Sequence, residues 1–393
     1  MAFINEQADQ GEQLNVVLST DYFPPHVGGG VEQATYQIAT HLTSFGHNVA
    51  VVTLNTRAAR KYEVMRGIRV YRADVVQLTG MVRVQSAISW EALPLIRRVC
   101  RKEEADILHA NNLFFFTTVA ACANKRAAAT KLVTTMHIGS LSKLEHAARV
   151  VGGTYERTVG RWILHESDHI IAVSKAVKKH AEELGQPGWR VSVVPNAVDT
   201  EEFAPASENN HNDSVRVAFV GRLVANKGPQ FLIEAAPRIL RECSRAEFMF
   251  VGEGPLLDRL QTRAKQLGIG HKVHFLGMVP TMPQFLKSCD ILVRPSLTEG
   301  MPLVVLEAMA CAVPIVASEV GGTPELLLHG EVGFLTRPMN IQDLAQYVGK
   351  LAADDALRSR MAKKARRFVE DHFTWRENAL QVAKIYDSIS GRR

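Results

Sequence analysis

No apolar run in the chain approaches the roughly 18 residues that a membrane-spanning helix needs, so a helical integral membrane protein is not expected. Cysteine is scarce. The five present (Cys100, Cys122, Cys243, Cys289, Cys311) are scattered, odd in number and never in Cys-x-x-Cys, against both a disulfide framework and a structural zinc site. Short repeats and low-complexity tracts are absent. Excess charge of one sign is also small: 46 Lys and Arg against 40 Asp and Glu leave a net +6. That allows attraction to anionic substrates or acidic membrane surfaces but gives no sign of a nucleic-acid partner. Residues 1–14 are polar and acidic, with no signal-peptide pattern. The expected location is therefore the cytoplasm, where the Asn212-Asp213-Ser214 sequon would be idle.

What is present is a regular alternation. At 393 residues the chain is too long for one ordinary core and fits two domains of about 200. Short β-branched runs alternate with helical-period segments, the signature of βα units and parallel sheets. Strands are expected near residues 14–19, 48–54, 68–73, 105–109, 131–136, 168–173 and 191–195. Residues 204–214 are polar and aperiodic, a linker by composition. The pattern then restarts with strands near 215–220, 246–251, 272–276, 289–293 and 313–318. The fold class is α/β, two Rossmann-like domains, and in such sheets ligands bind beyond the C-terminal strand ends.

The most informative stretch runs from Arg294 to Ala310. The apolar strand Ile291-Leu292-Val293 is followed by a loop carrying Glu299, then by a helix in which Glu307 interrupts an otherwise apolar run. Pro302 suits the first turn of that helix, where its missing N–H is not needed. Glu307 is then about six residues in, about 9 Å beyond the helix start. A ligand with hydroxyls at both ends and a phosphate between them fits this arrangement. Glu299 would hold one end, the N–H groups at the helix start the phosphate, and Glu307 the other end. An ionised Glu307 among apolar neighbours is costly unless hydrogen-bonded, and ligand hydroxyls would supply the bonds.

Two further loops follow strands. After Val16-Val17-Leu18-Ser19, the glycines Gly28, Gly29 and Gly30 open a helix with apolar residues at Val31, Ala34, Ile38, Ala39 and Leu42. Glycines there let the backbone approach an anion, or simply shape a turn. After Val217-Ala218-Phe219-Val220 come Arg222 and Lys227. The order Lys227-Gly228 excludes a P-loop, and the spacing around Gly28 to Gly30 is not a dinucleotide fingerprint.

Glu299 and Glu307 after a strand, followed by Pro314-Ile315-Val316-Ala317-Ser318 and Val320-Gly321-Gly322-Thr323-Pro324-Glu325, resemble the retaining glycosyltransferases of family 4. The resemblance covers nearly the whole chain. It implies the GT-B fold, with two Rossmann-like domains facing each other across a cleft. Residues 1–203 would form the acceptor-side domain, 204–214 the linker, 215–373 the nucleotide-sugar domain, and 374–393 a helix crossing back to the first domain. That last helix has Trp375, Ala379, Val382, Tyr386 and Ile389 on one face.

The same resemblance implies roles. Arg222 and Lys227 would grip the donor diphosphate, Glu299 the sugar hydroxyls and Glu307 the ribose. Gly28 to Gly30 and the Gly300, Met301, Pro302, Leu303 helix start would add backbone donors. Gly252 would lie near the nucleotide, and the backbone at Met278 and Val279 would meet the base. His137, after the strand ending in Thr134-Thr135-Met136, would sit near sugar and acceptor. Glu299, His137, Arg222 and Lys227 form the expected catalytic set. The nucleotide-diphosphate sugar is a co-substrate, and neither metal nor other cofactor is required. The reaction is transfer of a hexose or N-acetylhexosamine to a hydroxyl, in glycolipid or surface-polysaccharide biosynthesis. The competing readings are an epimerase on the same fold and a non-catalytic partner that only binds sugar nucleotide.

Three segments add to this. Ser174 is an N-cap by its position before a helix. Asn196 and Asp199 shape the connection between domains. Arg57, Arg60, Lys61, Arg66, Arg69 and Arg72 face a single acid, Glu63, and Trp90, Leu93, Ile96 and Val99 lie at helical spacing beside Arg97, Arg98, Arg101 and Lys102. Such a surface suits a core-facing stripe with a solvated basic side, and would also permit peripheral contact with an anionic inner-membrane face.

Overall fold

A computed structural model describes residues 12–26, 29–57, 59–77, 87–139, 146–206 and 214–391. Gly28, most of the expected linker and most of the N-terminal stretch lie outside the described residues. The chain divides into two units. One takes Met1–Ile138, Val151–Pro195 and Trp375–Arg393; the other takes Gly139–Val150 and Asn196–Thr374. The division thus falls after Pro195 rather than after residue 203. Its cause is local: Arg366 donates to the carbonyls of Thr200 (2.9 Å), Phe203 (2.7 Å) and Ala310 (2.6 Å), fastening residues 200–203 into the second unit.

Among the described residues the first unit builds an eight-stranded sheet. Its strands are β1 (Asn15–Ser19), β2 (Asn48–Leu54), β3 (Tyr62–Met65), β4 (Ile68–Ala73), β5 (Ile107–Asn111), β6 (Lys131–Met136), β7 (His169–Ala172) and β8 (Val191–Val193). The spatial order is β8-β7-β6-β5-β1-β2-β4-β3, parallel except where β3 meets β4. The interior strands are buried on both faces, which is why they read as continuous apolar runs. β3 is an edge strand with Tyr62 and Val64 exposed, so its sequence carries no such run.

Helices cover the sheet. In α1 (Gly30–Ser44) the buried stripe includes Ala34, Ile38, Ala39 and Leu42, as the spacing implies. In α2 (Ala92–Lys102) the stripe differs from the expected one: Leu95, Ile96, Val99 and Cys100 are buried, while Trp90 precedes the helix and is 76% exposed. Ser174 accepts from Val177 N–H (3.2 Å), capping the helix Lys175–Glu183. All five cysteines are free and buried.

The second unit has β9 (Val215–Val220), β10 (Ala246–Val251), β11 (Val273–Gly277), β12 (Ile291–Arg294), β13 (Ile315–Ser318) and β14 (Gly333–Thr336). Their order is β11-β10-β9-β12-β13-β14, all parallel, the Rossmann arrangement with its reversal between β9 and β12. The helix α3 (Leu303–Ala310) lies between β12 and β13 in the chain. β14 is an edge strand that the sequence pattern had not marked. Phe219, Phe250 and Phe275 stack across β9, β10 and β11 at centroid distances of 5.6 and 5.1 Å.

The helix α4 (Trp375–Ser390) belongs to the first unit and packs on α1. Trp375, Ala379, Val382 and Tyr386 are buried; Ile389, expected on the same face, is only half-buried. Tyr386 is fully buried, and its hydroxyl lies 2.5 Å from His109 Nδ1, whose Nε2 lies 2.6 Å from Thr135 Oγ1. Burial, with the neighbouring His137, pushes the His109 pKa down to about 3 and keeps the ring neutral. Tyr386→Phe leaves one ring nitrogen without its partner. A loss of about 1–3 kcal/mol in urea unfolding is expected; unchanged stability would show that this bond does not anchor the helix.

Candidate active site at the strand ends

The reversal between β9 and β12 is where a Rossmann sheet opens a crevice beyond its strand ends. The loop after β12 carries Glu299, buried at 7% exposure. Its Oε1 accepts from Arg294 Nε (2.9 Å), Arg294 Nη2 (2.8 Å) and Ser296 Oγ (2.7 Å). Its Oε2 accepts from Lys227 Nζ (2.9 Å) on the loop after β9. Burial by itself would raise the carboxyl pKa, but Arg294 and Lys227 more than reverse this and hold it at about 2. Both Glu299 oxygens thus have partners within the protein, and Oε2, which accepts from Lys227 alone among the described residues, keeps acceptor capacity.

Backbone approach makes this geometry. Gly228 has φ +77° and lies against the carbonyl of Pro295, while Gly321 has φ +54° and lies against the carbonyl of Glu299. A Cβ at either would overlap backbone, so both positions require glycine. Gly322 N–H donates to Gly300 O (2.8 Å), and Leu297 N–H to Asn226 O (2.9 Å). The loop is thus tied to the segments that follow β9 and β13 at once.

The helix α3 follows directly. Pro302 is its extended N-cap rather than a first-turn residue, so Glu307 is four residues beyond the start, about 6 Å instead of about 9 Å. Asn196 Nδ2 donates to Met301 O (2.9 Å), which fixes the entry to the helix. Met301 and Leu303 bury their side chains, leaving the first-turn N–H groups as this segment's means of meeting a ligand. Glu307 is 8% exposed, and its carboxyl has no hydrogen-bond or ion-pair partner among the described residues. Burial, reinforced by Glu202, raises its pKa to about 7.

Arg222 is exposed and makes no ion pair among the described residues; its charge acts on Lys227, whose pKa is lowered chiefly by burial. Gly252 N–H donates to Gly277 O (2.8 Å), and Leu223 N–H to Glu253 O (2.8 Å). These bonds bring the loop of Gly252 and the start of Met278-Val279 beside the Arg222 loop. Met278 itself is 65% exposed.

In the first unit the corresponding reversal lies between β1 and β5. Gly29 is the extended N-cap of α1, and Gly29 and Gly30 are both exposed. Asp21, which belongs to no motif in the sequence, is buried there and accepts from Phe116 N–H (3.0 Å), Thr117 N–H (2.9 Å) and Thr117 Oγ1 (2.8 Å). Burial raises its pKa to about 6. His137, just past β6, is buried, held neutral with a pKa lowered to about 4, and its Nε2 has no partner among the described residues.

The basic stretch is less free than its composition suggests. Arg72 is buried against Glu63, Arg69 pairs with Glu103 (2.7 Å), and Lys61 pairs with Asp74 (2.6 Å). Among the described residues no cluster of His, Cys, Asp and Glu is arranged to hold a metal ion. No helix among them is long and apolar enough to cross a membrane.

Residues 28–202 match the family described as Glycosyltransferase Family 4, and residues 200–368 that described as Glycosyl transferases group 1. A GDP-mannose-dependent alpha-(1-6)-phosphatidylinositol monomannoside mannosyltransferase of Mycolicibacterium smegmatis is 30% identical over 284 residues, 65% of this chain and 74% of the relative. The chain belongs to glycosyltransferase family 4. The phosphatidylinositol N-acetylglucosaminyltransferase gpi3 subunit of Schizosaccharomyces pombe is 27% identical to this glycosyltransferase over 376 residues, 94% of this chain and 80% of the relative.

Solved structures agree on the fold of the transferase, which is GT-B. Sucrose-phosphate synthase from Thermosynechococcus elongatus superposes with TM-score 0.81 at 21% identity, over 95% of this chain and 98% of the other. Anabaena HepE in complex with UDP superposes with TM-score 0.77 at 22% identity, over 96% and 100%.

Arg294 and Ser296 are the site residues that motif reasoning left without a role. A charged residue closing an apolar strand five positions before an acid was the available signal. The raised Glu307 pKa gives this glycosyltransferase a testable pH dependence. The folded state binds that proton more tightly than the unfolded chain, so stability is full below about pH 4.5 and falls as pH rises toward 7. Glu307→Gln removes the loss. In urea unfolding the variant should gain on the wild type across that window, by up to about 3 kcal/mol; parallel curves would refute the assignment.

Proposed function

We propose that this glycosyltransferase moves a hexose or N-acetylhexosamine from a nucleotide-diphosphate sugar to a hydroxyl with retention of configuration. The observation that carries the proposal is the pairing of unspent charge with an unsatisfied acid at the second unit's strand ends. Arg222 has no ion-pair partner among the described residues, Lys227 sits on the same loop, and Glu307 is a buried carboxyl without a donor among them. A diphosphate meets the two cations and the first-turn amides of α3, while ribose hydroxyls supply the bonds Glu307 lacks. Arg offers a fork and Lys a point charge, both suited to phosphate.

Negative charge that builds on the departing diphosphate is stabilised by groups already in place, the kind of preorganisation often responsible for the largest catalytic term. In this reading no resident metal is part of the mechanism, and no side chain serves as nucleophile. Glu299 holds Lys227 through Oε2 and has acceptor capacity left there for sugar hydroxyls. In the first unit, neutral His137 has a ring nitrogen available to orient a hydroxyl.

A lipid-linked acceptor is supported by the names of the mannosyltransferase and N-acetylglucosaminyltransferase relatives. It is also supported by one exposed surface of α2 and its approach, on which Trp90, Pro94, Arg97, Arg98 and Arg101 recur at steps of three and four. An aromatic at the end of a basic face suits the boundary of an anionic bilayer.

The decisive experiment incubates the enzyme with UDP-, GDP- and ADP-sugars and a lipid-linked hydroxyl acceptor, with and without EDTA, and reads the anomeric configuration of the product by NMR. Retention, unaffected by EDTA, is expected; inversion overturns the proposal. Glu307→Ala and Lys227→Ala should each lower kcat/KM at least about a hundredfold, a loss of about 2.7 kcal/mol. Near-normal turnover in either folded variant would remove that residue from the site. Reversing Arg97 and Arg98 to Glu should abolish cosedimentation with phosphatidylglycerol vesicles; undiminished binding would exclude this face.

A further inference from the structure

Glu299 alone would neutralise Lys227. One ammonium 2.9 Å from one carboxylate sums to zero charge, and a neutral buried pair gives an anion little reason to bind. Arg294 changes the sum. Its side chain is 8% exposed, and it directs both Nε and Nη2 to Glu299 Oε1. Neither Arg294 nor Lys227 has a second acid partner among the described residues. The cluster therefore holds two cations against one carboxylate.

The backbone is shaped to admit this arginine. Arg294 Nη1 donates to Val220 O (2.6 Å), the last residue of β9, so the guanidinium spans the reversal from β12 to β9. Gly221 has φ +146°, and a Cβ there would meet Arg294 Nη1. A buried surplus charge costs several kcal/mol unless an anion or solvent meets it, and this one lies where strand ends receive ligands.

We propose that Arg294 is a positioning and charge-setting residue for the donor diphosphate: it occupies one oxygen of Glu299, so that the cluster keeps one positive charge and Lys227 remains able to meet phosphate. The inference rests on the donor reading above. It differs from a purely structural role in a way that can be measured. A structural arginine is needed for its shape; a charge-setting one is needed for the balance with Glu299.

Binding of UDP, GDP, ADP and inorganic pyrophosphate is measured by calorimetry on the full chain for wild type, R294K, R294M and R294M/E299Q, with folding followed by circular dichroism and urea unfolding. R294M should weaken diphosphate binding at least about tenfold and raise the donor KM more than it lowers kcat. R294K should recover part of the affinity. R294M/E299Q, which restores a surplus of one positive charge while burying no unpaired acid, should recover most of it. Wild-type affinity in R294M, or no recovery in the folded double variant, overturns the inference. If R294M fails to fold, the double variant decides: binding within a few-fold of wild type supports the inference, and lost binding overturns it. Failure of the donor reading looks different. Wild type that binds pyrophosphate or a nucleoside diphosphate yet transfers no sugar defeats that reading, while the variant series still reports on the charge balance. Absence of binding to all four probes overturns the inference.

Discussion

A single buried carboxylate organises the second unit. Glu299 could not stay ionised behind β9 and β12 without Arg294, Ser296 and Lys227, because burial strongly disfavours an isolated charge. Meeting that demand ties together loops that are distant in sequence. Lys227 comes from the loop after β9, Arg294 from the end of β12, and Gly321 from the turn after β13 closes against the Glu299 carbonyl. The position of α3, with its first-turn amides and Glu307, follows from where this loop is held. Removing the carboxylate's partners would therefore disturb the fit of the whole strand-end region.

The first unit buries one neutral polar chain and one hydrogen-bonded carboxyl. His109, Thr135 and Tyr386 form a buried chain from the sheet to the last helix, and burial keeps the imidazole uncharged. Asp21 caps the helix Phe116–Ala128 through two backbone N–H groups and the Thr117 hydroxyl. In these two clusters the polar groups satisfy one another, while His137 Nε2 has no partner among the described residues. At the second unit's strand ends a cation and an acid are left over among the described residues, Arg222 and Glu307. That unsatisfied polarity is what supports the proposal of a donor site in this unit.

Much of the fold was legible because parallel strands buried on both faces are apolar throughout. The runs at 48–54, 131–136, 215–220 and 246–251 announced β2, β6, β9 and β10 at their observed bounds. Two edge strands were missed: β3 because it is exposed at alternate residues and carries no apolar run, and β14 because it is buried but only four residues long and opens on a glycine. Trp90 was placed on an apolar stripe that begins only after it, at Ala92, because spacing alone does not say where a helix starts. Pro302 was read as a first-turn residue for the same reason, and the Glu307 offset was overestimated. Three of the basic residues between 57 and 72 looked solvent-facing but are paired with acids, and two of those acids, Glu103 and Asp74, come from outside that stretch.

The sequence by itself determined the α/β class, the presence of two Rossmann-like units, the family and part of the residue set at the strand ends, Arg294, Ser296 and Asp21 excepted. These follow from local patterns: the period of burial, the glycines at turns, and the order of motif segments. Only the tertiary structure decided what those residues are paired with. That Glu299 is paired with two cations while Glu307 has no partner among the described residues, that Arg294 lies 2.8 Å from an acid five residues on, and that His137 keeps an open ring nitrogen depend on through-space contacts and on exclusion of water. A linear pattern can say that a charge is present; whether it is spent depends on what folding brings against it.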